Sequence, residues 1–509
     1  MQTRAVAAGD DHVEDADPGA ISRAIWGPER RALTIGLLLN VVAGAFEALA
    51  VATALPSVVR DLGGLDLYGW AFSAYLLASL VGIALAGTVA DARGPSLPMV
   101  AGAASFVVGL AIAGAAGSMP VVVVGRAVQG LGSGAISAVG YAAIARAYPA
   151  FAHPRMLALL SSAWVVPGLV GPVIAGFVAE HAGWRWVFLG IAPLVAIGTA
   201  LSTGPLHRLA SGASDGGDAA PRETAAARIL PPLALASGTG FLLQALASPG
   251  RPLAWLAAVV GVAIAIPALG RLVPDGTLRL RHGLPAAVAL AGAIGFAFFG
   301  AEAFLPLALS AVRGRPATAV GLPLTAGTIC WTVGSWIQAR EVHRRGRRSL
   351  AASGVGLIGA GIALVAAILQ PSTPVAFATA GWAIAGLGMG IAYSTTALVV
   401  LETQGADSGR ASAALQLAWA LGIALGTGMG GALVAAASAR GATTATGIAA
   451  ADAMAIAALV VAFAATSRLP RGRGSRLDRD GGVGERPAVT DSARDDSRPG
   501  DSAGRGTAA

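Results

Sequence analysis

The chain has 509 residues, of which 55% are hydrophobic and only 12% charged, with a formal net charge of +8 and a mean hydropathy of +0.69. A soluble domain carries roughly a quarter charged residues, so this composition excludes a water-soluble globular protein and predicts an all-α polytopic membrane protein. All 35 basic residues are arginine, which excludes the lysine-dependent phosphate loop of an ATP-driven transporter.

Fourteen apolar segments follow one another, each long enough to cross a bilayer core that needs about 20 helical residues. We number them helix 1 to helix 14, and in order they cover residues 32–57, 68–90, 98–117, 120–146, 158–179, 185–204, 229–248, 252–272, 283–312, 319–340, 349–369, 373–401, 411–437 and 446–467. Pro231 and Pro232 weaken the prediction for helix 7. A twelve-helix chain with a re-entrant hairpin at 229–272 is therefore the alternative.

Arginine is distributed unequally between the two sides of this arrangement. Connectors after even-numbered helices hold fifteen arginines, whereas connectors after odd-numbered helices hold six. The positive-inside rule therefore predicts a multi-pass protein of the cell membrane with both termini in the cytoplasm. We call the side of the even-numbered connectors the arginine-rich face and the other side the opposite face.

The chain also repeats itself at an offset of about 256 positions. The glycine pattern of residues 130–134 in helix 4 recurs at 386–390 in helix 12, and Ala163-Trp164 in helix 5 recurs as Ala418-Trp419 in helix 13. Such repeats predict two six-helix bundles with a substrate site at their interface. The predicted organisation is a cytoplasmic tail at 1–31, a bundle at 32–204, a cytoplasmic loop at 205–228, an inserted helix pair at 229–272, a second bundle at 273–467 and a disordered cytoplasmic tail at 468–509.

Few charged residues lie inside the predicted helices. A charge at bilayer depth costs about 2.5–3.5 kcal/mol on insertion scales, so Glu47, in the middle of helix 1, must be protonated, paired or hydrated. Glu302 lies late in helix 9, where Pro306 would expose it to water at a bent helix end. Arg126 needs a buried partner, which Glu47 or Glu302 would provide as a protonation switch or as a fixed strut. Asp452, near the start of helix 14, is expected to be solvated.

Two motifs in the first bundle carry a family resemblance. Residues 126–134 read RAVQGLGSG, a close match to RxxQGxGxG, and residues 168–176 read GLVGPVIAG, similar to GxxxGPxxGG with Ala175 in place of one glycine. Helix 1 ends FEALAVATALP at 46–56, where the same family usually reads LDxTIVNVALP. On these motifs, residues 32–467 resemble the fourteen-helix drug:proton antiporter branch of the major facilitator superfamily, and Glu47 stands where that branch has an intramembrane aspartate.

The loop after helix 2 departs from the family pattern GxxxDRxGRR. Gly87, Asp91 and Gly94 are kept, but Ala92 replaces the arginine and the trailing basic pair is missing. The departure weakens the gating role that the resemblance implies for this loop. The strongly basic counterpart at 334–348 is the alternative latch, and Asp91 is expected to be a hydrogen-bonding or helix-capping residue.

Small residues and aromatic residues make up the remaining candidates. Small residues let membrane helices approach closely, so they serve either tight packing or rocking of the bundles. The residues assigned to these conformational motifs are Gly130, Gly134, Gly168, Gly171, Pro172, Gly176, Gly386 and Gly390. Residues expected to line a substrate cavity, or alternatively to pack or lie at the membrane interface, are Tyr75, Gln129, Tyr141, Trp164, Trp331, Tyr393 and Trp419.

The resemblance implies a secondary transporter that exchanges protons, through Glu47, Glu302 and Arg126, for amphipathic drugs or toxic organic compounds by alternating access, with antibiotic resistance as a consequence. A metabolite, sugar or lipid as cargo, or a receptor that has lost transport, stays open. The expected partners are a small-molecule substrate, protons and the lipid bilayer, and a monomer is compatible with the sequence. No metal site is expected, since all six histidines fall in predicted tails or loops. Nucleic acid is not expected because the arginines lie in short connectors and tails, and no enzymatic site is expected because no nucleophile, base and orienting residue occur together in a recognisable motif. No cofactor is expected.

Overall fold

The computed structural model describes residues 18–211, 224–248, 250, 252–402 and 407–470. Across these residues it is helical without a β-strand, and fourteen of its helices are long and apolar enough to cross a membrane, which confirms the predicted fold class. Helices 1 to 14 span Arg31–Leu62, Leu65–Arg93, Ser96–Gly114, Met119–Ala147, Arg155–Gly183, Arg185–Leu209, Ala225–Ala247, Ala254–Leu272, Leu284–Val312, Ala317–Val342, Arg347–Leu369, Ala376–Leu401, Arg410–Ala439 and Thr444–Thr466.

Several boundaries differ from the sequence prediction. The α-helical segments continue to Ser211 in helix 6 and to Arg345 in helix 10, and helix 5 starts at His153. His153, His207 and His343 therefore lie in α-helices and His181 in a π-helical turn, so the prediction that every histidine is in a tail or loop is wrong. A short additional helix, Pro18–Trp26, occupies part of the predicted N-terminal tail. Helices 7 and 8 are both complete, in contrast to the re-entrant alternative. The C-terminal tail predicted to be disordered begins at residue 468, but Leu469 is buried and its carbonyl oxygen accepts from Arg348, so the start of the tail is ordered. The rest of that prediction, for residues 471–509, lies outside the described residues.

Three membrane helices are interrupted near a proline, which lacks the amide hydrogen that an unbroken helix needs. Helix 5 consists of His153–Ser162 and Val165–Val178, and helix 6 of Arg185–Leu189 and Ala192–Ser211. Helix 9 runs from Leu284 to Glu302, resumes at Leu305–Leu307 and ends in a π-helical turn. The interruption in helix 9 therefore directly follows a candidate carboxylate.

The two bundles repeat the same close packing of helix on helix. A Cβ atom added to Gly130 in helix 4 would lie 2.1 Å from the carbonyl oxygen of Tyr75 in helix 2. The same atom on Gly386 in helix 12 would lie 2.1 Å from the carbonyl oxygen of Gly327 in helix 10. Only glycine allows backbones to approach this closely. The repeated glycine pattern thus corresponds to a repeated backbone contact.

Contacts between the bundles lie toward the opposite face. The Tyr68 hydroxyl of helix 2 donates to the carbonyl oxygen of Ala303 at 2.9 Å, and the Ser73 hydroxyl donates to that of Ala424 in helix 13 at 2.8 Å. In helix 5, a Cβ on Gly176 would lie 2.5 Å from the carbonyl oxygen of Ala317 in helix 10. Helix 7 packs against both helix 2 and helix 13 and so occupies one of the two seams between the bundles.

Candidate functional site

A buried ion pair links helix 1 to helix 4. The Arg126 Nη1 atom donates to the Glu47 Oε1 atom, and the two residues are 2% and 0% exposed. Because helices 1 and 4 belong to the same bundle, the pair lies inside the first bundle and does not tie the two bundles together. Of the two partners predicted for Arg126, Glu47 is the one that the structure provides.

Three further contacts hold the Arg126 guanidinium. Its Nε atom donates to the Ala71 carbonyl oxygen at 2.9 Å and its Nη1 atom to Gln129 Oε1 at 2.7 Å. The guanidinium carbon lies 4.2 Å from the centre of the Tyr75 ring, a distance suited to a cation–π contact. A neutral Glu47 would therefore leave the cation with partners in helices 2 and 4.

Two polar atoms of this cluster have no hydrogen-bond partner among the described residues: Glu47 Oε2 and Gln129 Nε2. A buried polar atom without a partner is rare and demands an explanation. The second carboxylate oxygen of Glu47 is thus available for a proton while Oε1 contacts Arg126. Tyr75 and Gln129, which the sequence predicts to line a substrate cavity, both contact Arg126.

Glu302 is the carboxylate of the second bundle. It is partly buried at the end of the long segment of helix 9, and its Oε2 atom accepts from the Trp382 indole Nε1 of helix 12 at 3.1 Å. The neighbouring chain turns at Ala303 and Phe304 before Pro306, as expected for a bent helix end. Glu302 has a neutral donor for a partner, so it differs from Glu47 in having no cation bonded to it within the described residues.

Aromatic side chains from helices 9, 10, 12 and 13 gather inside the second bundle, and Phe299 of this group lies three residues before Glu302. Tyr393 and Trp419 have ring centres 4.5 Å apart, and Trp331 lies 6.2 Å from Tyr393 and 6.3 Å from Trp419. Phe299 joins them at 5.4 Å from Trp419. We call Phe299, Trp331, Tyr393 and Trp419 the aromatic cluster. Its members are partly buried, so each keeps some surface for a further contact.

Other predicted residues lie elsewhere. Tyr141 and Trp164 are 54% and 49% exposed and take no part in the aromatic cluster. Asp452 is 2% exposed, so the prediction that it is solvated is wrong. The burial follows from the packing of helix 14 against helices 9, 11 and 13, which a hydropathy pattern does not record. Its Oδ2 atom has no hydrogen-bond partner within the described parts of the chain.

Ion pairs join the ends of helices at the arginine-rich face. Asp91, in the last turn of helix 2, contacts Arg146 of helix 4 at 3.2 Å and Arg228 of helix 7 at 2.5 Å. In the second bundle, Arg347 at the start of helix 11 contacts Glu402 at the end of helix 12. Each bundle thus has an ion pair at the equivalent position on the arginine-rich face. The acidic residue lies on the earlier helix in the first bundle and on the later helix in the second.

The two glycines of the loop motif after helix 2 differ in their surroundings. Gly94 has φ +82°, a conformation that requires glycine, whereas a Cβ on Gly87 would meet nothing within 4 Å.

Trp382 and Phe299 are the site residues that sequence reasoning missed. Trp382 is fully buried, and its ring centre lies 4.6 Å from that of Phe298. No local pattern marks it as the donor to Glu302, because the two residues are 80 positions apart. The described residues contain no group of three or more histidine, cysteine, aspartate or glutamate side chains that would hold a metal ion.

Comparisons with known proteins agree with this architecture. A multidrug transporter protein of Bacillus subtilis is 26% identical over 401 residues, which cover 74% of this chain and 70% of that protein. A probable multidrug-efflux transporter of Mycobacterium tuberculosis is 28% identical over 71% of this chain and 79% of its own. An uncharacterized MFS-type transporter of the same species is 28% identical over 74% of this chain, and this chain spans 56% of that protein's length.

Solved structures and a family model agree on the fold. A bacterial homolog of the human lysosomal transporter Spinster, solved inward-facing and unoccupied, has a TM-score of 0.60 at 14% identity and covers 87% of this chain and 98% of its own. The nucleoside transporter NupG has a TM-score of 0.58 at 15% identity, covering 87% and 99%. The family model described as Major Facilitator Superfamily matches residues 33–427. The chain therefore belongs to the major facilitator superfamily, and its described residues form fourteen helices that are long and apolar enough to cross a membrane.

Proposed function

We propose that the protein is a proton-coupled exporter of amphipathic organic compounds. The observation that carries the proposal is the buried Glu47–Arg126 pair, whose carboxylate retains one oxygen without a partner among the described residues. A buried ion pair is weak evidence for stability, because desolvation offsets most of its Coulomb energy. A role in proton exchange explains the pair better than a role in stability, because Glu47 can take up a proton without moving away from Arg126.

The proton cycle follows from the partners of each group. A proton entering from one face binds Glu47 and removes its negative charge, so the attraction to Arg126 falls. The guanidinium stays charged and is held by the Ala71 carbonyl oxygen, Gln129 Oε1 and the Tyr75 ring. Arg126 then keeps its contacts with helices 2 and 4, while its attraction to helix 1 is weakened. When the bundles tilt and open the other face, Glu47 loses its proton and the pair forms again.

Cargo would occupy the second bundle. The aromatic cluster offers ring faces to a flat apolar molecule, and stacking on aromatic faces stabilises a bound cation by about 0.5–2 kcal/mol. Glu302, three residues after Phe299 in helix 9, would supply a carboxylate for a positively charged group. A planar amphipathic cation such as ethidium combines both features. The names of the Bacillus subtilis and Mycobacterium tuberculosis relatives, a multidrug transporter and a multidrug-efflux transporter, agree with such cargo and with export.

Location and orientation belong to the same proposal. We place the protein in the cell membrane with the arginine-rich face in the cytoplasm, because arginines concentrate in the connectors of that face. The bundle contacts near Tyr68, Ser73 and Gly176 lie toward the opposite face, so the described conformation would be open to the cytoplasm and ready to load cargo.

The test is ethidium transport by purified protein in liposomes under an imposed pH gradient. Wild-type protein is expected to move ethidium against its concentration gradient, and an uncoupler should abolish the movement. Glu47→Gln should reduce gradient-driven transport by at least about ten-fold, because the amide cannot exchange a proton. Trp419→Ala should raise the KM for ethidium several-fold, since it removes part of the aromatic cluster.

The matched control is Glu29→Gln, the same chemical change at an exposed residue before helix 1. It should transport at the wild-type rate. Undiminished gradient-driven transport in Glu47→Gln would contradict the proton role. Gradient-driven movement of a sugar, metabolite or lipid but of no organic cation would contradict the cargo, and binding without any flux would point to a receptor.

A further inference from the structure

The short helix Pro18–Trp26 and the start of helix 5 enclose a cavity of about 380 Å³. It is lined by Ile21, Ser22, Ile25, Trp26, Arg155 and Leu159. Four of the six lining side chains are apolar or aromatic, and one carries a positive charge. The cavity lies apart from the Glu47–Arg126 pair and from the aromatic cluster, and the proposed transport cycle does not use it.

The short helix is firmly attached to the bundle. Ile25 is 1% exposed and belongs to an apolar cluster with Met156 and Leu160 of helix 5. The Thr34 hydroxyl of helix 1 donates to the Ile25 carbonyl oxygen at 2.8 Å and shares a second hydrogen bond with the Tyr148 hydroxyl at 2.8 Å. The short helix that lines the cavity is therefore held in place by apolar packing and by a hydrogen bond.

Arg155 supplies the charge of the cavity. It is exposed and, within the described residues, has neither an ion-pair nor a hydrogen-bond partner. It is also the first residue of the membrane span of helix 5, at the arginine-rich face. Its guanidinium is thus expected at the level of the lipid headgroups, where it can bind a phosphate through two parallel hydrogen bonds.

The apolar side chains supply the second half of a lipid site. Leu159 lies one helical turn further into the membrane than Arg155, on the same face of helix 5. Trp26 is 43% exposed, and tryptophan is enriched at membrane–water interfaces because its ring is apolar and its N–H is polar. A cation at headgroup depth above apolar side chains complements a phosphate ester that continues into an acyl chain.

We propose that this cavity binds one anionic phospholipid of the leaflet at the arginine-rich face, with the phosphate on Arg155 and the upper acyl chain against Ile21, Ile25 and Leu159. Basic pockets at the ends of membrane helices recognise anionic headgroups by the same combination. The bound lipid would join the short helix to helix 5, which is one of the helices that form the seam between the two bundles. This site does not depend on whether the cargo is a drug or on whether protons drive transport.

The test measures retention of phosphatidylglycerol by the detergent-solubilised full-length chain, using native mass spectrometry. Wild-type protein should retain one phosphatidylglycerol in preference to phosphatidylcholine. Arg155→Gln should weaken the retention of phosphatidylglycerol by about five- to ten-fold, as expected for losing one charge-assisted phosphate contact. Leu159→Gln should weaken it too, while leaving binding of glycerol phosphate unchanged.

Arg271→Gln is the matched control, because Arg271 is an exposed arginine at the end of helix 8 on the same face but does not line the cavity. It should retain phosphatidylglycerol like the wild type. Equal losses in Arg155→Gln and Arg271→Gln, or no loss in either, would overturn the proposal. Binding of inorganic phosphate that depends on Arg155 and displaces the lipid would assign the site to a free anion instead.

Discussion

Neutralising Glu47 should destabilise the protein chiefly by leaving Arg126 buried without an opposite charge. Removing one partner of a buried ion pair costs about 3–5 kcal/mol. Arg126 keeps hydrogen bonds to the Ala71 carbonyl oxygen and to Gln129, so we expect Glu47→Gln to lie at the lower end, near 3 kcal/mol. That difference is about a hundred-fold in the unfolding equilibrium, since each 1.4 kcal/mol is ten-fold.

A double-mutant cycle isolates this energy. The free energy of unfolding would be measured in mixed detergent micelles for the wild type, Glu47→Gln, Arg126→Met and the double variant. Replacing both members of a buried pair by neutral residues is often nearly neutral, so the double variant should be more stable than the sum of the single losses predicts by about 2 kcal/mol or more. Glu302→Gln is the control, because its partner Trp382 is uncharged and no buried cation is left behind.

The reasoning would be refuted if the two single losses simply added, with a coupling below about 0.5 kcal/mol. That result would mean that Glu47 is already neutral in the folded protein at the pH of the measurement. Repeating the double-mutant cycle at higher pH would then distinguish two explanations. A coupling energy that appears at higher pH would mean that the pair forms once Glu47 ionises, and its absence at every pH would mean that the pair never forms.

Two further predictions concern packing and the contact between the bundles. Gly130→Ala should lower the thermal unfolding temperature, because its Cβ would lie 2.1 Å from the Tyr75 carbonyl oxygen and overpacking of this kind costs about 1–3 kcal/mol. Gly44→Ala is the control and should leave the unfolding temperature unchanged, because a Cβ there would meet nothing within 4 Å. An equal effect of both substitutions would contradict the close-packing argument. Tyr68→Phe removes the 2.9 Å hydrogen bond to the Ala303 carbonyl oxygen, and a loss of about 1 kcal/mol should shift the equilibrium about five-fold toward opening of the opposite face. Distances between spin labels across that face would measure the shift, and an unchanged distribution would show that the bond does not hold the face closed.

Much of the architecture was predictable from the sequence because it depends on composition along the chain. A bilayer demands a run of apolar helical residues of a given length, and this demand determines the number of helices without reference to any partner. The recurrence of the glycine pattern at Gly130 and Gly386 likewise predicted two similar bundles, and both glycines do meet a neighbouring backbone at 2.1 Å. Arg126 was also recognisable as a buried cation that requires a partner.

The sequence by itself thus determined that the protein is built for a lipid bilayer, where its membrane helices run along the chain, and which charged residues need a partner in lipid. Only the tertiary structure decided that Arg126 pairs with Glu47 while Glu302 meets Trp382, and that Asp452 is buried. The physical reason is that hydropathy records depth along one helix, whereas pairing depends on how neighbouring helices are rotated and where they cross. Those two quantities are set by contacts between residues that lie far apart in the chain.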